Sequence, residues 1–494
     1  MEPFRPQYHF SPAKNWMNDP NGMVFYEGEY HLFYQYNPAG DKWGHMSWGH
    51  AVSPDMVHWT HLPLALPEAD NVMIFSGSAV VDWKNSSGFG KDGKPPLIAV
   101  YTGFRTTDRV QFQCIAYSND KGRTWTKYSG NPVIDINSTD FRDPKVQWHE
   151  ATRRWIMTVS LSAEHKVRFY GSDNLKAWTL LSEFGPAGAT GGVWECPDLF
   201  ELALPGTNDK RWVLAVNMNP GSVAGGSGGQ YFVGHFDGTR FVADRDSVIP
   251  PTPRRSPSAS ALWFDYGPDY YAAVSWSDVP ASDGRRLWLG WMSNWDYGGD
   301  VPTSPWRSAM SIPRDVGLRR TADGIRLVQK PVREMESLRD RHFAFKGGDL
   351  SEANAWLKER HVEGDQLELM VEFEAQSSGT EGVKVLKGDK EATVIGVDRQ
   401  RGQAFVDRRQ SGNVRFHQKF SGLYEAPLPV RDVRVKLHVF VDASSVEVFV
   451  NDGERVFTSL VFPSAASRGV EFFGSATSSK ITALDVWTLK SIWR

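Results

Sequence analysis

At 494 residues with a formal net charge of −3, the chain is too long for one ordinary hydrophobic core and too evenly charged to carry a basic stripe. Two domains are therefore expected, and nucleic acid and anionic membrane surfaces are poor partners. Abundant Trp (20), Phe (28), Tyr (15) and Gly (45), with few apolar runs at helical spacing, predict an all-β protein with many turns.

The chain opens with Tyr8-His9-Phe10 and then Asn15-Trp16-Met17-Asn18-Asp19-Pro20-Asn21-Gly22, a polar stretch between aromatic runs. Pro20 predicts an extended Asp19 and Asn21-Gly22 signals a turn, so Asp19 is placed at a strand end, either aimed at a site or merely reversing the chain. Met23 to Tyr26, a Glu27-Gly28-Glu29 turn and Tyr30 to Tyr36 read as a hairpin.

One pattern then recurs. Ser53-Pro54-Asp55 leads to Trp59, Ser118-Asn119-Asp120 to Trp125, Gly171-Ser172-Asp173 to Trp178 and Phe236-Asp237-Gly238 to Phe241. Each is a polar turn before a buried aromatic, and strands such as Leu97 to Tyr101, Trp155 to Val159 and Trp212 to Val216 lie between the copies. A period of roughly sixty residues suits a four-stranded sheet with generous loops, and Tyr271 to Trp276 with Arg286 to Met292 complete a fifth unit. The expectation is a five-bladed β-propeller over residues 1–330, with functional groups at the ends of its innermost strands.

A charged, helix-compatible stretch from Gln329 to Arg339 suggests a linker over 331–345. Beyond it, Leu367 to Phe373, Val435 to Val441 and Val446 to Val450 alternate with period two, which predicts a β-sandwich over 346–494.

Three carboxylates stand out. Asp143, in Phe141-Arg142-Asp143-Pro144, repeats the Asp-Pro device beside an arginine expected to keep it ionised, and Glu195, in Val193-Trp194-Glu195-Cys196-Pro197, has apolar neighbours expected to raise its pKa. Carboxyl groups pushed apart in pKa suit an acid/base paired with an anion. Taken singly, Arg142 and Asp143 read equally as a structural ion pair and Glu195 as a turn cap. Three such residues on three proposed blades favour a site.

Only Cys114 and Cys196 are present, so no disulfide framework holds the fold. The thirteen histidines lack metal-ligand spacing, and neither a metal nor a cofactor is expected. No apolar run approaches the ~20 residues of a membrane span, and Met1 to Arg5 does not read as a signal peptide. Asn85-Ser86-Ser87 and Asn137-Ser138-Thr139 match the N-glycosylation pattern.

The blocks around Asp19, Asp143 and Glu195 resemble the signatures of glycoside hydrolase family 32, the invertases, inulinases and levanases. The resemblance extends through Phe33 to Pro38, Trp43-Gly44, Phe75 to Ser78, Trp291 to Trp295, Pro305 to Arg307 and Val446 to Gly453. It implies a retaining β-fructosidase with Asp19 as nucleophile, Glu195 as acid/base and Asp143 as a stabiliser binding fructose hydroxyls. Retaining pairs stand about 5 to 5.5 Å apart. By the same resemblance Asn18, Gln35, Trp43, Ser76 and Arg142 bind the terminal fructosyl unit or the nucleophile, Trp43 and Phe75 form apolar walls, and Trp295 meets the next sugar.

Trp291 to Gly299 with Val301 to Thr303 looks more like exo-acting fructanases than sucrose invertases. The expected substrate is thus fructan of levan or inulin type, with sucrose also cleaved. Alternatives are a fructosyltransferase with the same carboxylates, or a non-catalytic fructan-binding propeller. A sialidase is disfavoured because Ser118 to Trp125 resembles an Asp-box, a structural turn, with no arginine trio or tyrosine nucleophile setting. Since polymers do not cross membranes unaided, the expected location is extracellular or periplasmic with a leader absent from this chain, the cytoplasm being the alternative. The protein is expected as a monomer or homodimer.

Overall fold

A computed structural model describes residues 2–248, 261–374, 379–428, 434–474 and 479–493. Among them β-strands dominate, and the one α-helix, Leu350–Glu359, is held by a capping box between Asp349 and Glu352. No helix among the described residues is long and apolar enough to cross a membrane.

Residues 15–331 form five antiparallel sheets. Their first strands are Asn15–Tyr26, Val72–Val81, Phe141–His149, Val193–Ala203 and Tyr271–Ser275. These strands touch in cyclic order, each against the next and the last against the first. They are mostly buried, whereas the outer strand Thr60–Leu66 is mostly exposed. Trp306 and Arg307, which lie between strands of the fifth sheet, pair in parallel with Asn15 and Trp16, which ties the fifth sheet to the first.

The recurring polar turns all fall between the third and fourth strands of their sheets, as between Gln111–Ser118 and Thr126–Lys127. Asp55, Asp120 and Asp237 accept hydrogen bonds from backbone N–H groups two to four residues on. In the third copy Asn174, not Asp173, does this. Trp59, Trp125 and Trp178 are half-buried rather than buried.

Asn15–Tyr26 is one twelve-residue strand, not two runs separated by a turn. Its pairing with Glu29–Tyr36 slips twice, between Met17 and Pro20 and between Asn21 and Val24. Asn21-Gly22 thus forms a bulge. Gly22 has φ +52°, and a Cβ there would lie 2.6 Å from the Phe33 ring, which explains a glycine signal inside a strand.

Beyond a 3₁₀ turn at Arg333–Leu338 lie two more sheets. Arg339–Phe345, within the stretch expected to be linker, pairs with Lys480–Leu489. Alternate residues of Leu367–Glu374 join Val383, Ile395 and Val406 of the facing sheet in a shared apolar core. Buried charges attach these sheets to the preceding five. Arg314 donates to Asp265 at 3.0 Å and Glu447 at 2.7 Å, and His9 bridges Asp442 at 2.6 Å and Glu447 at 3.0 Å.

Candidate active site

Each of the five first strands breaks register near its start. The slips fall between Met17 and Pro20, Ile74 and Gly77, Arg142 and Lys145, Glu195 and Asp198, and Tyr271 and Val274. A bulge releases a residue from the ladder and re-aims its neighbours. The residues freed or flanking here are Asn18, Asp19, Phe75, Ser76, Arg142, Asp143, Glu195, Cys196 and Tyr271. Three prolines, Pro20, Pro144 and Pro197, occupy bulge positions that need no N–H. Asp143 has φ +67° and Cys196 φ +45°, so Asp143 is not extended as Pro144 led us to expect. The bulge holds it in the left-handed region, a strained conformation typical of functional sites.

The three carboxylates converge. Asp19, 9% exposed, accepts from Ser76 Oγ at 2.6 Å on one oxygen and from Asn18 Nδ2 at 3.1 Å on the other. Asn18 is itself held by Trp16 Nε1 at 2.7 Å. Asp143 accepts from the Cys196 amide at 2.9 Å. The Cys196 thiol lies 3.6 Å from both Asp19 Oδ2 and Asp143 Oδ2, between the two aspartates. Glu195 takes Arg142 Nε at 2.9 Å on Oε1 and the Tyr271 hydroxyl on Oε2.

Burial raises the pKa of Asp19, against hydrogen bonds from Ser76 and Asn18, and the charge of Glu195 adds to the rise. Burial also raises Asp143 well above the usual carboxylate range. Arg142 opposes this, and the charges of Glu195 and Asp19 reinforce it. The expectation that Arg142 keeps Asp143 ionised is corrected on this point, because the guanidinium closes on Glu195 instead. Glu195 likewise has charged and hydroxylic partners in place of the apolar setting inferred from Trp194 and Cys196. The Cys196 thiol is pushed well above its ordinary value by burial and by the adjacent carboxylates.

The other expected site residues surround this cluster. Gln35 is buried and donates to the Ile74 carbonyl at 3.0 Å, bracing the bulge that carries Phe75 and Ser76. Phe75 stacks on Phe104 with ring centroids 4.6 Å apart, and Trp43, 45% exposed, meets its edge at 6.1 Å. Trp295 packs against Trp16 at 5.8 Å and Trp291 at 4.9 Å, one residue pair from Asn18 and Asp19. Among the described residues no group of three or more His, Cys, Asp or Glu side chains is arranged to hold a metal ion.

The family description "Glycosyl hydrolases family 32 N-terminal domain" matches residues 9–331, and "Glycosyl hydrolases family 32 C terminal" matches residues 334–488. The chain belongs to glycoside hydrolase family 32. This family 32 chain is 51% identical over 498 residues to a levanase of Bacillus subtilis (strain 168), covering 100% of this chain and 71% of the levanase. It is 42% identical over 524 residues to an extracellular exo-inulinase of Aspergillus awamori, covering 100% and 96%. The crystal structure of the exo-inulinase from Aspergillus awamori superposes with a TM-score of 0.91 at 41% identity, covering 99% of each chain. A β-fructofuranosidase from Schwanniomyces occidentalis complexed with fructosyl-erythritol superposes with a TM-score of 0.86 at 33% identity, covering 99% of this chain and 98% of that one.

Two residues of this cluster carry little signal in the sequence. Tyr271 appeared only as part of a strand, although a tyrosine opening an innermost strand was a usable signal. Cys196 stands in the sequence only as an apolar neighbour of Glu195. Its side chain turns to the opposite side of the strand and meets Asp19 and Asp143, which only the bulge geometry reveals.

Proposed function

We propose that this glycoside hydrolase is a retaining, exo-acting β-fructosidase that releases fructose from the ends of levan- or inulin-type fructans and also cleaves sucrose. The observation that carries the reading is the division of labour among the carboxylates. Asp19 receives hydrogen bonds from neutral donors only, while Glu195 sits between a guanidinium and a phenol. The names of the similar levanase and exo-inulinase support the substrate class.

In this reading the five sheets are the blades of a propeller spanning residues 1–330, followed by a sandwich, with the cyclic contact of the first strands as support. Asp19 attacks the ketal carbon of the terminal fructose while protonated Glu195 donates to the departing glycosidic oxygen. The C2–O bond to the leaving sugar breaks as the Asp19 ester forms. Glu195 then takes a proton from water, which displaces Asp19 and releases fructose. Asp143 binds ring hydroxyls, and its ionised form, which the nearby charge of Arg142 favours against burial, offsets the oxocarbenium-like charge at the reacting carbon. Ser76 and Asn18 hold Asp19 in line, and Arg142 and Tyr271 fix the Glu195 carboxyl. Trp43 and Phe75 offer apolar faces to the sugar C–H bonds.

Action on a polymer places the enzyme outside the cytoplasm, in keeping with the name of the extracellular relative. Parallel incubation with levan, inulin and sucrose tests the proposal. Free fructose is expected as the first product from all three, and its absence from both fructans would reject the assignment. Products longer than the substrate at high sucrose would instead show transfer.

A further inference from the structure

The loop carrying Trp295 is tied to a part of the chain more than a hundred residues away. Tyr297, two residues beyond Trp295, donates its hydroxyl to Asp269 Oδ1 at 2.7 Å and accepts from Arg408 Nη2 at 2.8 Å. Asp269, two residues before Tyr271, accepts from Arg408 Nη1 at 2.5 Å and from the Leu460 amide at 2.8 Å. Arg408 belongs to the C-terminal region, where it directly follows the strand Gln403–Asp407 and gives its Nε–H to the Phe420 carbonyl at 2.7 Å. All three side chains are buried, and the guanidinium lies 3.8 Å from the Phe420 ring centroid. At the surface above them Lys419 reaches Asp296 at 2.7 Å.

One guanidinium thus grips the chain on both sides of the site. Through Asp269 it fixes the entry to Tyr271, whose hydroxyl holds Glu195, and through Tyr297 it fixes the exit from Trp295. Trp295 in turn packs on Trp16, which orients Asn18 beside Asp19. A planar fork with several fixed donors spans these partners at once, and the point charge of a lysine does not. Truncating such a group leaves Asp269 buried with a missing partner, so the loop on either side is free to shift.

We infer that Arg408 is a positioning residue for the reaction, supplied by the C-terminal region, which sets where the sugar beyond the terminal fructose is held. This rests on the fructosidase reading given above. The C-terminal region then acts on specificity through Trp295, besides bracing the fold. Asp19, Ser76 and Asp143, which build the terminal-fructose pocket, receive no direct hydrogen bond from Arg408, whose bonds go to Asp269, Tyr297, Phe420 and Leu460. The affinity of that pocket for free fructose is independent of this contact.

The test compares wild type, Tyr297→Phe and Arg408→Lys on an inulin-type oligosaccharide, with free fructose as competitive inhibitor. Tyr297→Phe keeps the ring and its packing and serves if Arg408→Lys does not fold. In Tyr297→Phe, which loses the bonds to both Asp269 and Arg408, the KM for the oligosaccharide should rise about tenfold, while the inhibition constant of fructose stays unchanged. Restoring the oligosaccharide KM by an added substitution at Trp295 is not expected. An unchanged KM, a parallel shift in KM and fructose inhibition, or a fall in Vmax that merely follows the folded fraction would each overturn the inference. Wild-type protein that releases no fructose would instead reject the proposed function.

Discussion

Arg142 donates its Nε–H to Glu195 at 2.9 Å, although Asp143 is its neighbour in the chain. The same guanidinium reaches Gln111 at 3.3 Å and Asp140 at 3.4 Å, so it is anchored on both sides and presents one edge to the site. Its charge opposes the raised pKa of Asp143 from nearby without a direct bond to it.

Arg142→Gln removes that charge and leaves Glu195 with Tyr271 alone. Asp143 should then be raised further, and the acid limb of the kcat/KM profile should move to higher pH. Activity at the optimum should fall about 100-fold, the scale of one acid/base contribution. A pH–rate profile in which the acid limb stays in place would contradict the assigned role.

Asp19→Asn should abolish measurable turnover, with a loss of about 10⁴-fold or more, and should also stabilise the protein at neutral pH. The sign follows from burial. Asp19 has a raised folded-state pKa, so its stabilising contribution is complete below the ordinary carboxylate value of about 4 and is lost as pH rises through the folded-state value. Asparagine carries no such loss. Thermal melts should therefore place the variant about 2 °C above wild type at pH 7, with the gap closing at pH 4. A variant less stable than wild type at pH 7 would refute the electrostatic account.

Cys196→Ala probes the thiol between the two aspartates. Both sulfur contacts are long at 3.6 Å, and the thiol is held protonated, so it neither attacks substrate nor carries much of the binding. Turnover should fall by about tenfold at most. Alkylating reagents should not label the native protein at this position. Rapid labelling, or loss of activity on the scale of Asp19→Asn, would show a chemical role for the sulfur.

His9 is the pH-sensitive element of the contact between the N-terminal segment and the C-terminal sheets. Its bonds to Asp442 and Glu447 outweigh burial and push its pKa up to about 9. The stability it contributes is complete below about 6.5 and is lost as pH rises through about 9. His9→Gln should cost about 3 kcal/mol at pH 7, as expected for breaking a buried charged pair. The difference from wild type should shrink toward pH 10, and denaturant melts at the two pH values would decide the point. A constant difference across that range would rule out the protonated bridge.

Much of this architecture was legible because it is written in local patterns. The polar turns at Asp55, Asp120 and Asp237 mark the same strand connection in the first, second and fourth sheets, and the alternation in Leu367–Glu374 marks a two-faced strand. Asp19, Asp143 and Glu195 stood out because proline-bearing carboxylate motifs recur at strand starts. Asp143 was misread in conformation, since a following proline disfavours helix but does not exclude the left-handed region that a bulge imposes. Tyr271 and the reach of Arg142 were hidden for a different reason. Both depend on which first strand lies beside which, and that is a property of the closed arrangement and not of any segment.

The pairing of Asn15 with Trp306 bears on how the molecule is made. The strand that carries Asp19 meets Ser277 at Val24 and Trp306 at Asn15, so its second edge is completed only by residues far along the chain. His9 and Ile312 then wait for Glu447. A growing chain therefore holds Asp19 without its completed surroundings until these distant segments have been made.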